Sequence, residues 1–180
     1  MNKLNFSFPL VAIILGLAVA PASSQTGKRR FTAKLLGINE VAAGVGAVST
    51  AATGSFRATL SKDGTSISYR LQYSDLEGDI TQAHIHVGQT HTAGGISVWL
   101  CQTLANPAPA AVFDITPSCG DPRSDTVVGT LTAENVIGPT GSGIDPSEFA
   151  ELLQLMRSEV TYANVHSSKF GPGEIRGQLR

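Results

Sequence analysis

From Phe31 onward, apolar and polar residues alternate in short runs, and only one segment repeats every three or four positions. The alternation is cleanest over residues 54–60, with Phe56, Ala58 and Leu60 on one side, and over residues 66–73, with Ile67, Tyr69, Leu71 and Tyr73. Side chains two apart share a face of a strand, so each run reads as a strand with one buried face. Lys62-Asp63-Gly64 lies between them, and an Asp-Gly pair supports the positive φ of a tight turn, so the two strands should form an antiparallel hairpin. Runs over 31–37, 82–88, 96–100, 127–132, 160–166 and 173–179 bring the total to about eight strands. The exception is Phe149, Leu152, Leu153 and Met156, spaced i, i+3, i+4, i+7 behind Asp145-Pro146-Ser147-Glu148. Asp145 as N-cap, Pro146 at the first helical position and Glu148 completing a capping box predict a helix over 145–157, its stripe packed on the core. The pattern as a whole predicts an all-β antiparallel sandwich or Greek-key barrel with this helix inserted over one end.

The first residues bear on compartment. Lys3, an apolar run over 9–20 and Ala20-Pro21-Ala22 have the order of a secretory signal peptide, and the run is shorter than the roughly 20 residues of a membrane-spanning helix. We expect residues 1–24 to be removed, with cleavage between Ala22 and Ser24. Residues 25–30 then form a tail and residues 31–180 one domain, exported to the periplasm or the extracellular space without a membrane anchor. No cysteine near the cleavage site supports a lipid anchor. A net charge of −1, 15% charged residues and a single basic cluster, Lys28-Arg29-Arg30, argue against nucleic acid as a partner and leave a protein or a small ligand. The two cysteines, Cys101 and Cys119, should be disulfide-bonded in an oxidising compartment; the alternative is thiolate ligation of a metal together with histidines.

The histidines carry the candidate chemistry. The chain has four, and His84 and His86 share a strand face while His91 follows on the next loop and His166 ends the run 160–166. A pair at i and i+2, joined by a third from a distant strand, is a donor set for zinc or copper. A fourth ligand could be His91 or, less favourably, Asp79 or Glu174. The simpler reading is a solvated sheet face whose imidazoles bond to one another and to carboxylates. Tyr162 and Asn164 share the face of His166 and could bond within the cluster. Glu174 and Arg176 share a face of the last strand, where a cross-strand ion pair is the simplest expectation. Alternatively Glu174 orients a histidine, and Arg176 pairs a carboxylate or meets an anionic ligand. Ligation requires neutral imidazoles, so affinity is expected to fall as pH drops through about 6.5. No Gly-x-Ser-x-Gly elbow, phosphate-binding glycine loop or paired carboxylates stand out, so no catalytic residue is assigned and any catalysis would run through metal.

Residues 31–41, Ala83-His84-Ile85-His86-Val87-Gly88 with Gly94-Gly95, Tyr162-Ala163-Asn164-Val165-His166-Ser167 and Gly173-Glu174-Ile175-Arg176-Gly177-Gln178-Leu179 together resemble a chordin-type (CHRD) domain over essentially all of 31–180. That resemblance implies an immunoglobulin-like or superoxide-dismutase-like β-sandwich. The domain occurs in chordin, an extracellular antagonist that binds growth factors, and in many exported bacterial proteins, so a binding module is implied and no enzymatic activity is transferred. The order of the histidines and the late arginine is also similar, more weakly, to Cu,Zn superoxide dismutases. That likeness implies His84, His86 and His166 as copper ligands, His91 as a bridging or second ligand, and Arg176 near the open position. The further histidine and aspartate of that family's zinc loop are missing. The combined expectation is an exported binding module with a copper or zinc site. A metal-free interaction domain and a copper-dependent redox enzyme are the alternatives.

Overall fold

A computed structural model describes residues 27–41 and 46–180; the expected signal peptide and the start of the tail lie outside the described residues. Eight strands form: β1 (Arg30–Leu36), β2 (Thr53–Leu60), β3 (Ile67–Ser74), β4 (Ile80–Val87), β5 (Gly95–Gln102), β6 (Asp125–Leu131), β7 (Thr161–Ser167) and β8 (Ile175–Gln178). All pair antiparallel in one sheet of order β5-β4-β7-β8-β1-β2-β3-β6. The sheet is nearly closed, and the Tyr69 hydroxyl of β3 donates to the Leu100 carbonyl of β5 across the interior at 2.5 Å. The fold is therefore all-β and sandwich- or barrel-like, as the alternation predicts. The β2–β3 hairpin has the expected register, Leu60 opposite Ile67, and Gly64 takes φ +78° in its turn.

One core fills the interior. Phe31, Leu35, Phe56, Leu71, Ile85, Leu100, Val165 and Ile175 meet there from seven of the strands. The helix α1 (Phe149–Arg157) adds Phe149, Leu152, Leu153 and Met156 to the same core. It starts later than its capping residues suggest. Ser147 sits at φ +71°, a left-handed conformation that cannot belong to a right-handed helix, so Glu148 becomes the N-cap. Asp145 keeps half of its predicted role, its N–H donating to Glu148 Oε2 at 2.7 Å. The basic cluster is less free than a solvated tail: Lys28 pairs with Glu159, Arg29 donates twice to the Leu60 carbonyl, and Arg30 begins β1.

Burial divides the sheet into two regimes. Along β3 buried and exposed residues alternate, whereas in β7 every residue is buried, and β4 is buried from Ala83 to His86. In that half the outer face is covered by loops as well. The stretch between β5 and β6 is one cover, closed by the Cys101–Cys119 disulfide. Gln102 stitches it from within: its Nε2 donates to the Phe113 and Thr116 carbonyls while its Oε1 accepts from Ala108 N–H. Trp99, Ala108 and Val112 form a small second core beneath this loop. Removing the disulfide by Cys101→Ala/Cys119→Ala is expected to cost about 3 kcal/mol in urea unfolding, from the restored freedom of a loop of 18 residues.

Candidate metal centre

The site lies on the covered outer face of β4, β7 and β8. Strand register sets out two rows across it: His84 opposite Asn164 opposite Arg176, and His86 opposite Tyr162 opposite Gln178. Alternation sends Ala83, Ile85, Ala163 and Val165 into the core and turns these polar residues the other way. His166 stands one step along β7 from Asn164 on the same face, and its ring reaches the pair on β4. The ring centroids of His84 and His166 are 5.0 Å apart and those of His84 and His86 5.3 Å. His84, His86 and His166 thus form a buried triad, each able to offer one ring nitrogen with all three within 4.8 Å of one another.

Two backbone carbonyls orient the rings. His86 Nδ1–H donates to Gly94 O at 2.9 Å and His166 Nδ1–H to Gly171 O at 2.8 Å, which in neutral rings leaves both Nε2 atoms as lone pairs. Gly94 approaches so closely that a Cβ there would collide with the Val87 carbonyl, so glycine is what lets the loop lie against His86. His166 Nε2 lies 3.2 Å from both His84 Nδ1 and Asn164 Oδ1. Since His166 keeps its proton on Nδ1, His84 Nδ1–H is the donor to this nitrogen. The Asn164 side-chain oxygen faces the same His166 lone pair, two acceptors with no proton between them. The Nε2 atoms of His84 and His86 are buried without a hydrogen-bond partner.

Burial governs the charge state. It pushes the His84 imidazole down to about 2, helped by repulsion from the other two rings, and His86 down to about 4 against the opposing pull of the Gly94 carbonyl. His166 is lowered for the same reason and is partly held up by Gly171. Burial thus favours the neutral form of all three rings in the folded protein. Proton competition for this site is therefore displaced below the pH of about 6.5 expected of an ordinary imidazole.

Around the triad the other candidates separate. The Tyr162 ring stacks on His86 at 4.8 Å, and its hydroxyl accepts from Gly94 N–H. The Arg176 guanidinium lies 3.3 Å from the Tyr162 ring centre, and its Nη2 donates to the Gln89 and Thr92 carbonyls. Arg176 thereby pins the loop that follows β4. His91 sits on this loop, exposed, with φ +68°, and is not part of the triad. The loop turns it to solvent while its neighbours' carbonyls face inward, so its expected place as fourth ligand is not realised. Asp79 is likewise outside, paired with Arg123. Glu174 is fully buried but serves another purpose: its Oε1 accepts from Thr50 Oγ1 and from Glu77 N–H, tying two loops together. It neither orients a histidine nor pairs with Arg176, because its partners come from the loops before β2 and β4.

One residue of this neighbourhood escaped the sequence reading. Glu40 is buried, and its carboxyl is pushed up by burial against the opposing influence of Val41 N–H, Arg176 and Asn164. Gly173, at φ +137°, leaves the space that this carboxylate occupies. A signal existed, since Glu40 is the only charged residue between Lys34 and Arg57. An acid isolated in an uncharged stretch is a candidate for a buried role.

Comparison with known proteins fits this arrangement. The chain matches the CHRD domain over residues 31–179 and belongs to that family. Neither curated proteins nor solved structures returned a match. Membership of that family suggests an extracellular binding module, and the Cys101–Cys119 disulfide suits an oxidising compartment. Among the described residues no helix is long and apolar enough to cross a membrane.

Acid stability should report the buried rings. Histidines in the unfolded chain take up protons near pH 6.5, while the folded rings of His84 and His86 resist until far lower, so unfolding binds protons and stability falls as pH drops from 6.5 toward about 4. His84 and His86 each contribute up to about 1.4 kcal/mol per pH unit in that window and nothing above it, and His166 adds in the same direction. Urea unfolding of metal-free protein across this range is expected to show the slope, shallower by about one proton in His86→Gln.

Proposed function

We propose that this protein is an exported binding module whose structure is supported by a copper or zinc ion held by His84, His86 and His166. The observation that carries the proposal is the convergence of three neutral, buried imidazoles, with the Nε2 atoms of His84 and His86 unpartnered and that of His166 facing the Asn164 side-chain oxygen. Such a spot is costly when empty and favourable for a cation. Carbonyls that hold the far nitrogens of two rings are the usual support of histidine ligands. Nitrogen donors without thiolate or carboxylate favour copper over zinc on affinity.

The burial of all three rings supports a conformational role for the ion and argues against turnover, since a catalytic metal keeps an open position for substrate. The binding face of the module is then sought elsewhere. Leu104, Phe113 and Ile115 are exposed on the disulfide-closed loop, 96%, 42% and 41% accessible, which supports that loop as the surface for a protein partner. The same surface serves the metal-free alternative.

Calorimetric titration of purified, chelator-treated protein with Cu(II) or Zn(II) is expected to give one ion per chain and a higher melting temperature. His91→Ala should bind as wild type, whereas His86→Gln, checked for folding by circular dichroism, should bind at least about ten-fold more weakly. Equal binding by wild type and His84→Ala/His86→Ala/His166→Ala would rule the site out. Copper-loaded protein is expected to consume superoxide no faster than the triple variant in the same solution.

A further inference from the structure

Beside the triad, on the far side of Arg176, lies a cleft of about 340 Å³ between β1, the C-terminal strand and the loop after β4. Its lining includes Lys34, Arg176, Arg180, Gln178, Thr90 and His91, and no aspartate or glutamate. Three permanent cations thus share one small concavity. Lys34 and Arg180 are exposed, whereas Arg176 is 2% accessible and held by the Tyr162 ring and two loop carbonyls.

The hydrogen-bonding of Arg176 is incomplete. Its Nη2 makes two bonds, and its buried Nη1 makes none. A guanidinium rarely stays buried with a terminal nitrogen unmet, because leaving a charged donor without a partner costs more than the bond itself gains. Glu40 is the carboxylate that acts on Arg176, and it does not line the cleft. Glu159 acts on Arg180 but pairs with Lys28, and it too lies outside the lining. The wall opposite Lys34 is the loop pinned by Arg176, whose His91 keeps φ +68°, a conformation that non-glycine residues seldom adopt. The cleft is therefore built around an arginine fixed on both sides, with two adjustable cations at its mouth.

We infer that this cleft is a binding site for a small molecule carrying two or more oxyanions, carboxylate or phosphate in type. The volume suits a ligand at the small end of the usual range for such pockets. Arg176 offers its unpartnered Nη1 to one oxyanion, while Lys34 and Arg180 reach a second. The inference does not depend on the metal, and metal-free protein keeps the two readings separately testable.

Amide resonances of metal-free protein, followed during titration with citrate and with inorganic phosphate at constant ionic strength, test it. Saturable shifts are expected at Ala33, Lys34, Thr90, His91 and Gln178, with citrate binding more tightly than phosphate because it engages more than one cation. Lys34→Ala/Arg180→Ala removes two exposed side chains without touching the core and should weaken citrate at least about ten-fold, as should Arg176→Lys, which keeps the charge and loses the Nη1 donor. Shifts that grow without saturation for both anions, or the same citrate affinity in Lys34→Ala/Arg180→Ala as in wild type, would overturn the inference.

Discussion

Covering a polar sheet face is the constraint on which this structure turns. In most of the sheet the outer residues meet water and need no particular partner. On β4, β7 and β8 the outer residues include His84, His86, Tyr162, Asn164, His166 and Arg176, and these six are buried. Every ring nitrogen, hydroxyl and guanidinium there must find a partner within the protein or remain at a cost of about 1–3 kcal/mol. The loops are shaped by that requirement. Gly94 and Gly171 present carbonyls to histidines, Gln89 and Thr92 present theirs to Arg176, and Gly94 N–H reaches Tyr162.

The cluster therefore acts as a fastener between strands and loops. Tyr162 stands near the start of β7, with His86 on the neighbouring β4 and Arg176 on the neighbouring β8 both against its ring. Strands distant in sequence are joined through one aromatic side chain. The disulfide-closed loop covers the next strand, β5, where Trp99 lies 4.3 Å from the His84 ring, centre to centre. Histidine triad and loop cover belong to one continuous layer on the outside of the sheet, from which Leu104, Phe113 and Ile115 project.

Membership of the CHRD family and the geometry of the triad speak to different questions. The family speaks to a role in binding outside the cell. The triad speaks to how the covered polar face of one half of the sheet is packed. The dismutase-like order of histidines stops at the triad itself. His91 faces solvent, and Arg176 is engaged with backbone carbonyls and an aromatic ring.

Much of this was legible in the chain. Alternation of two gave the strands, Asp63-Gly64 the hairpin, and the stripe from Phe149 to Met156 the helix, because each depends on neighbours in sequence. The shared face of His84 and His86, and of Tyr162, Asn164 and His166, follows from the same period. Other features were beyond reach of a local pattern. Which half of the sheet is covered, why Glu174 ties loops while Glu40 lies beside Asn164, and why His91 turns outward all depend on loops folding back over a face. A strand's period says which side chains point together, but whether that side meets water or another segment depends on contacts between residues far apart in the chain. Burial, which sets the charge of the histidines and the demand on Arg176, is a property of those contacts alone.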